Sequence, residues 1–331
     1  MFSSLLEDMG GTPGVGAGFM SGLPLTFPEW AVEGLRAEDD AIVMDAFTAA
    51  PITPTAGASP LPSLLPVPPA HASALSPLLP ANTLLFLEVQ GAGVGIQNAL
   101  TMLRASPELA PALQMLDGAG AGAFLGSIDD LGVIVTKGSD GPTGGLLLVA
   151  KDEATAGQHA ASLLGLIALA GIGSDSISTR ESTIGGVTVT TVSVSDLGSL
   201  VPPGQLPPGM ELPPGATIEF SVATKGQVLL LGAGESFMNA VLTVQSGQGL
   251  VDQDVYTRAT SRALPGSLLT MYVGIRDIVA LAETSLSGQD LSRWQADLKP
   301  YFAPFEAISV TSSATTDGGG HARISLSVGN P

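Results

Sequence analysis

The stretch Leu79-Pro80-Ala81-Asn82-Thr83-Leu84-Leu85-Phe86-Leu87-Glu88-Val89 opens a strongly apolar strand where a proline-rich run ends. The chain repeats it late, as Leu264-Pro265-Gly266-Ser267-Leu268-Leu269-Thr270-Met271-Tyr272-Val273. With Asn82 left out the two align: Leu, Pro, a small residue, a hydroxyl residue, Leu-Leu, and Val at the end. Each copy leads into a helical pattern. The spacing therefore predicts an internal repeat of a strand-helix-hairpin unit.

Working outward, the pattern predicts hairpins at Leu131–Thr136 with Gly145–Ala150, and at Ile218–Val222 with residues 228–231. A closing hairpin joins Phe305–Val310 to Ala322–Val328. Strand Val187–Val194 changes its alternation at Thr190-Thr191, which predicts a bulge. Helices are expected at Asp152–Ala170, at 235–246 and over Leu291–Phe302. Hairpins outnumber βαβ crossovers, so the expected fold is α+β: an antiparallel or mixed sheet built from hairpins, with helices packed on one face.

Residues 1–49 read as a helix-like start (Phe2, Leu5, Leu6, Met9) and a hairpin, Trp30–Arg36 with Ala41–Phe47. This copies the ending of the later unit, so 1–49 are expected to be the closing part of a repeat. Residues 50–78 form a Pro-rich linker of semi-rigid, extended character. The main domain runs from 79 to 331 and carries three Pro-Pro-Gly steps at 201–215, a loop that no packed helix or central strand can contain.

Composition bounds the function. Thirty acids against 12 bases give a net charge of −18, and no basic cluster exists to neutralise phosphates. Nucleic acid is thereby excluded as a direct partner and an anionic membrane surface is disfavoured. Cysteine is absent, which removes disulfides, thiolate metal sites and cysteine nucleophiles. Hydrophobic residues make up 45% and charged residues 13%, enough apolar surface for a substantial core. No stretch reaches the roughly 18 apolar residues of a membrane span. Met1-Phe2-Ser3-Ser4-Leu5-Leu6-Glu7-Asp8 has no basic region ahead of an apolar core, so it does not read as a signal peptide. Either the chain is cytoplasmic or its true beginning lies upstream. The copied ending at 1–49 favours the second, and with it an extracytoplasmic (periplasmic or cell-surface) location, any membrane attachment being through an anchor outside this chain.

No catalytic, cofactor-binding or metal-binding residue is expected. Gly91-Ala92-Gly93 and Gly232-Ala233-Gly234 follow strands and precede helices, but Ile96 and Phe237 stand where a dinucleotide fingerprint needs glycine. Those glycines read as tight strand-to-helix turns. His71, His159 and His321 lie far apart, with no second histidine at helical spacing and no thiol. The acid pairs Asp39-Asp40, Asp129-Asp130 and Asp152-Glu153 read as turns and helix starts, because neighbours on a strand face opposite ways. No Gly-x-Ser-x-Gly elbow precedes a helix.

In its opening Leu79–Val89 element, its middle Leu131-Gly132-Val133-Ile134-Val135 and its later Leu264–Leu269 element, the chain resembles a bacterial domain-of-unknown-function family, the one numbered thirty-three fifty-two. The likeness covers about residues 79–328 and rests on hydrophobic patterns. It implies an uncharacterised, anchored or exported bacterial protein, with no active-site residues to carry over. The expected function is a non-enzymatic module with a structural or protein-interaction role, through an unknown partner or self-association. The alternative is a carrier of a lipid or other apolar ligand held between sheet and helices.

Overall fold

The computed structural model describes residues 30–49, 70–104, 121–139, 141–170, 176–195, 217–315 and 319–329. The helix-like start, most of the Pro-rich linker and the Pro-Pro-Gly loop lie outside them. In chain order the elements are β1 (Ala31–Ala37), β2 (Ala41–Thr48), a 3₁₀ turn (Ser76–Leu78), β3 (Thr83–Val89), α1 (Ala92–Arg104), α2 (Ala121–Gly126), β4 (Ile128–Gly138), β5 (Gly141–Ala150), α3 (Glu153–Ala170), β6 (Ile177–Ile184), β7 (Val187–Val194), β8 (Ile218–Lys225) and β9 (Val228–Gly232). Then follow α4 (Gly234–Leu242), α5 (Asp254–Thr260), β10 (Leu269–Val273), α6 (Ile275–Ser285), α7 (Gly288–Arg293), α8 (Lys299–Phe302), β11 (Phe305–Ala314) and β12 (Gly320–Val328).

All twelve strands join one sheet in the order β1-β2-β12-β11-β10-β3-β4-β5-β9-β8-β7-β6. Every neighbouring pair is antiparallel. The two Leu-Pro stretches supply the central pair. Leu87 stands opposite Met271, its aligned counterpart, with Leu85 opposite Val273 and Val89 opposite Leu269. The Gln90 N–H donates to the Leu268 carbonyl and the Gly274 N–H to the Leu84 carbonyl. These reciprocal bonds place a local two-fold axis between Leu87 and Met271. Outside it, β3 pairs with the β4–β5 hairpin and β10 with the β11–β12 hairpin.

The expectation of helices on one face of an antiparallel or mixed sheet is wrong: the sheet is wholly antiparallel and both faces are covered. On one face lie the 3₁₀ turn, α4 and α5, burying Leu75, Phe86, Ile134, Phe237, Met238 and Tyr272 together. On the other, α2 and α3 pack Phe124, Leu163 and Leu164 onto Leu148, Val222 and Leu229. The α6 helix packs on β3 and β11 and so spans β10 between them. The α5 helix packs on the same part of the sheet, against β10, β11 and β12. The physical reason is visible in β9, Val228-Leu229-Leu230-Leu231, an unbroken apolar run whose residues alternate between the two cores. A strand apolar on both sides needs cover on both.

No bulge occurs in β7, whose register is continuous with both neighbours. Its alternation breaks because Thr191 turns inward and shares a buried 2.8 Å hydrogen bond with Ser221 on β8. Register shifts fall instead in β3, β4 and β11. The β2 and β12 strands pair with each other inside the sheet, and its two edges are β1 and β6.

Candidate functional site

Antiparallel partners point to the same side of a sheet, so the register sorts every side chain onto one of two faces. The face under α4 and α5 gathers buried polar groups, among them Asp45, Glu88, Asp130, Thr191, Ser309 and Ser325. Across five strands, one row on it reads Asp45, Arg323, Thr311, Thr270 and Glu88.

Three clusters on this face resemble catalytic constellations, and each is a clamp. In the first, the segment leaving the Pro-rich run is fastened down. His71 Nε2 lies 2.8 Å from Asp130 Oδ2, and the Ser73 hydroxyl donates to Glu88 Oε1 at 2.7 Å. The Gln90 side chain accepts from the His71 N–H and donates to its carbonyl. Asp130 also accepts the Gly91 N–H, where the backbone turns at φ 64° from β3 into α1. Burial pushes the Glu88 carboxyl up, opposed by the Ser73 hydrogen bond. Burial, with Glu88 nearby, pushes the Tyr256 hydroxyl up to about 12. The Ser73 hydroxyl is committed to the Glu88 carboxylate and the His71 ring to Asp130, which in turn holds the Gly91 backbone.

The second cluster centres on Asp45. It accepts from Arg36, from Arg323 at 2.6 Å and pairs with His321 at 2.9 Å, whose ring stacks on Phe47. Arg262 bonds Glu38 and Asp40 in the turn after β1. Burial alone would raise the Asp45 carboxyl, but Arg323, His321 and Arg36 together hold it well below the carboxylate range. In the third, Glu306 receives Arg258 of α5 and Arg276 of α6, both at 2.6 Å, tying helices of the two faces to one strand end.

On the other side, Ser127 and His159 stand 2.6 Å apart. The Ser127 hydroxyl lies within hydrogen-bond reach of both the Phe124 carbonyl and the imidazole. Burial pushes His159 down. Among the described residues no three His, Asp or Glu side chains are placed to hold a metal ion. Asp129 is exposed beside buried Asp130, Asp39 and Asp40 sit in a turn, and Asp152 accepts the Thr155 N–H at the start of α3. The Glu88–Asp130–His71 meeting escaped sequence reading because its members are 17 to 59 positions apart and only the β3–β4 register and the returning strap unite them.

The opposite face is of another kind. One row crosses nine strands as Leu35, Met44, Ile324, Val310, Met271, Leu87, Val133, Leu146 and Leu231, each directly paired with the next. It contains no polar atom beyond the backbone and passes through the two-fold axis. From Met44 to Leu231 these side chains are half-buried, apart from Leu146, 40% exposed. The helices that follow β10 leave apolar groups open: α6 and α7 bury none of their residues, and Ile278, Leu298, Tyr301 and Phe302 are exposed, as are Leu166 and Leu169 on α3. At about 4.8 Å per strand, eight steps give a track about 38 Å long. An open depression near α4, lined by Thr183, Ile184, Gly185, Glu235, Ser236 and Asn239, is polar by contrast.

No family model matches the chain, and no curated protein matches it. Among solved structures, crystal form I of TP0453 aligns at TM-score 0.32 and 8% identity over 79% of this chain and 81% of that one. Crystal form III aligns at TM-score 0.30 and 11% identity, covering 80% and 82%. Similarity this low carries no argument about fold or function. No helix of the described residues is long and apolar enough to cross a membrane.

Proposed function

We propose that this chain is a non-catalytic binding module whose ligand is a lipid or another long apolar molecule, lying along the uncharged row that crosses the sheet. The observation that carries the reading is the unbroken Leu/Met/Ile/Val row from Leu35 to Leu231, mostly half-buried and exposed at Leu35 and Leu146, beside helices that bury little of themselves. A row of side chains without donors, acceptors or charge offers nothing to a polar substrate. It offers about 25 cal/mol for each Å² of hydrocarbon it removes from water. A track about 38 Å long exceeds the roughly 30 Å hydrocarbon thickness of a bilayer, so it has room for an acyl chain laid flat. The other face spends its charged groups fastening the strap and the β1–β2 hairpin, which supports a scaffold and leaves no group free for chemistry. An acidic, cysteine-free surface and a Pro-rich tether fit an exported location.

Native mass spectrometry of the purified chain, followed by organic extraction, tests this. A reproducible adduct of lipid mass, lost on denaturation, is expected. A clean mass that stays clean after incubation with mixed phospholipid would sink the proposal. A protein-interaction role is the second reading, favoured by the open strand β1.

A further inference from the structure

The sheet ends in two unlike edges. At one, β6 reads Ile177-Ser178-Thr179-Arg180-Glu181-Ser182-Thr183-Ile184, a polar strand carrying charge of both signs, which blunts pairing. At the other, β1 is exposed along its whole length, and Leu35 is 74% open to solvent. The Ala49 N–H donates to the Trp30 carbonyl and the Glu38 N–H to the Ala41 carbonyl. Even-numbered residues of β1 therefore spend their backbone groups on β2. Ala31, Glu33, Leu35 and Ala37 point theirs outward.

This open edge is held from behind rather than frayed. Arg36 is anchored on Asp45 and Glu38, and Arg262 fastens the turn after β1 through Glu38 and Asp40. The row of free donors and acceptors is thus pre-organised, which lowers the ordering cost of adding a strand. Its charge then selects the occupant. Glu33 stands in the middle of the free row, and Glu38, Asp39 and Asp40 follow at its end. Among the described residues, Arg36, Arg262 and Arg323 pair with Glu38, Asp40 and Asp45, and none of them pairs with Glu33. A second copy would bring another −18 to a chain already at −18, and pairing centred on Glu33 would set the two carboxylates face to face.

We infer that β1 is a docking edge for an extended, basic segment of a partner protein, which adds a thirteenth strand to the twelve. Main-chain bonds to Ala31, Glu33, Leu35 and Ala37 hold the added strand. A lysine or arginine opposite Glu33 and an apolar residue opposite Leu35 give it its identity. The site meets the apolar track at Leu35, but it rests on outward backbone groups that the track does not use.

The test uses the full chain and a capped peptide of about eight residues, the length of one strand, alternating lysine and valine. Its acidic counterpart, alternating glutamate and valine, is the control. Hydrogen exchange should show fast amides at 31, 33, 35 and 37 in the free protein, slowed when the basic peptide is added. Leu35→Pro removes one outward N–H and leaves the β1–β2 ladder intact, and should weaken binding by about tenfold or more. Glu33→Lys should weaken it as well, more at low salt than at high, and keeps the test decisive if the proline variant does not fold. The inference is overturned if the acidic peptide binds equally well, if both variants bind as the wild type does, or if the basic peptide protects none of the four amides at about millimolar concentration. Protection that arises on concentrating the protein alone, with a dimer in sedimentation, would assign the edge to a second copy and overturn it too.

Discussion

Ser325 and Ser327 are buried at 1% and 2% exposure, and neither hydroxyl has a hydrogen-bond partner. A buried unpaired hydroxyl costs about 1–3 kcal/mol. Ser325→Ala should therefore raise stability by about 1 kcal/mol, seen as a higher denaturant midpoint with an unchanged slope; a loss would mean that the hydroxyl has a partner in solution. Two carboxylates should shape the pH profile in opposite senses. Glu88 has its folded value raised by burial, so its stabilising share is present below the ordinary glutamate range and is lost as the pH rises through the folded value. Glu88→Gln should gain on the wild type above about pH 5. Asp45 is held low by its arginines and His321 against the pull of burial. Its share is present above the ordinary aspartate range and is lost as the pH falls through the folded value. Asp45→Asn should cost about 3 kcal/mol near neutrality, and the gap should close in acid. Equilibrium unfolding at a series of pH values checks both.

At the scale of elements, the tightest constraint is the approach of α4 to the sheet. A Cβ on Gly145 would overlap the Leu231 carbonyl and the Phe237 ring, two atoms' worth of fixed structure. A Cβ on Gly132 would meet only the end of the Leu75 side chain at 2.5 Å, which can move. Gly145→Ala should cost about 2–3 kcal/mol and Gly132→Ala clearly less; thermal melts that rank them the other way would place the rigid contact at the strap. Glycine thus does different work at different sites. Gly91 and Gly234, at φ 64° and 71°, turn the chain from strand to helix, whereas Gly145 and Gly232 make room for Phe237. Composition alone cannot tell these uses apart.

Over the whole molecule, the two faces of one sheet divide the labour. The face that buries its charged groups is covered and fastened, while the face that carries the apolar row is half-open. Leu146 lies on the open row and is already partly in water, so Leu146→Glu should change stability by less than about 1 kcal/mol. By placing a carboxylate in the track it should still abolish retention of an apolar ligand, read as loss of the extractable adduct in native mass spectrometry. Unchanged retention in a folded variant would move the ligand off this face.

The repeat of Leu-Pro, small residue, hydroxyl residue and Leu-Leu was legible in the chain, as were the hairpins around it, because strand periodicity and turn chemistry are local. That the two copies lie side by side, Leu87 against Met271, was not legible, since nothing local says which strands pair across 184 positions. The number of covered faces was misread for a related reason. Apolar residues on both sides of β4, β5 and β9 look like a thick core until the register assigns each to its own layer. By itself the sequence determined most of the hairpins, though not the edge strand β6, together with the lack of thiols and basic clusters and the acidic composition. Only the tertiary structure decided which strand is the open edge and which carboxylates are buried. It alone gathered the apolar side chains of nine strands into one uncharged row, because those properties belong to pairings between distant segments and to no segment alone.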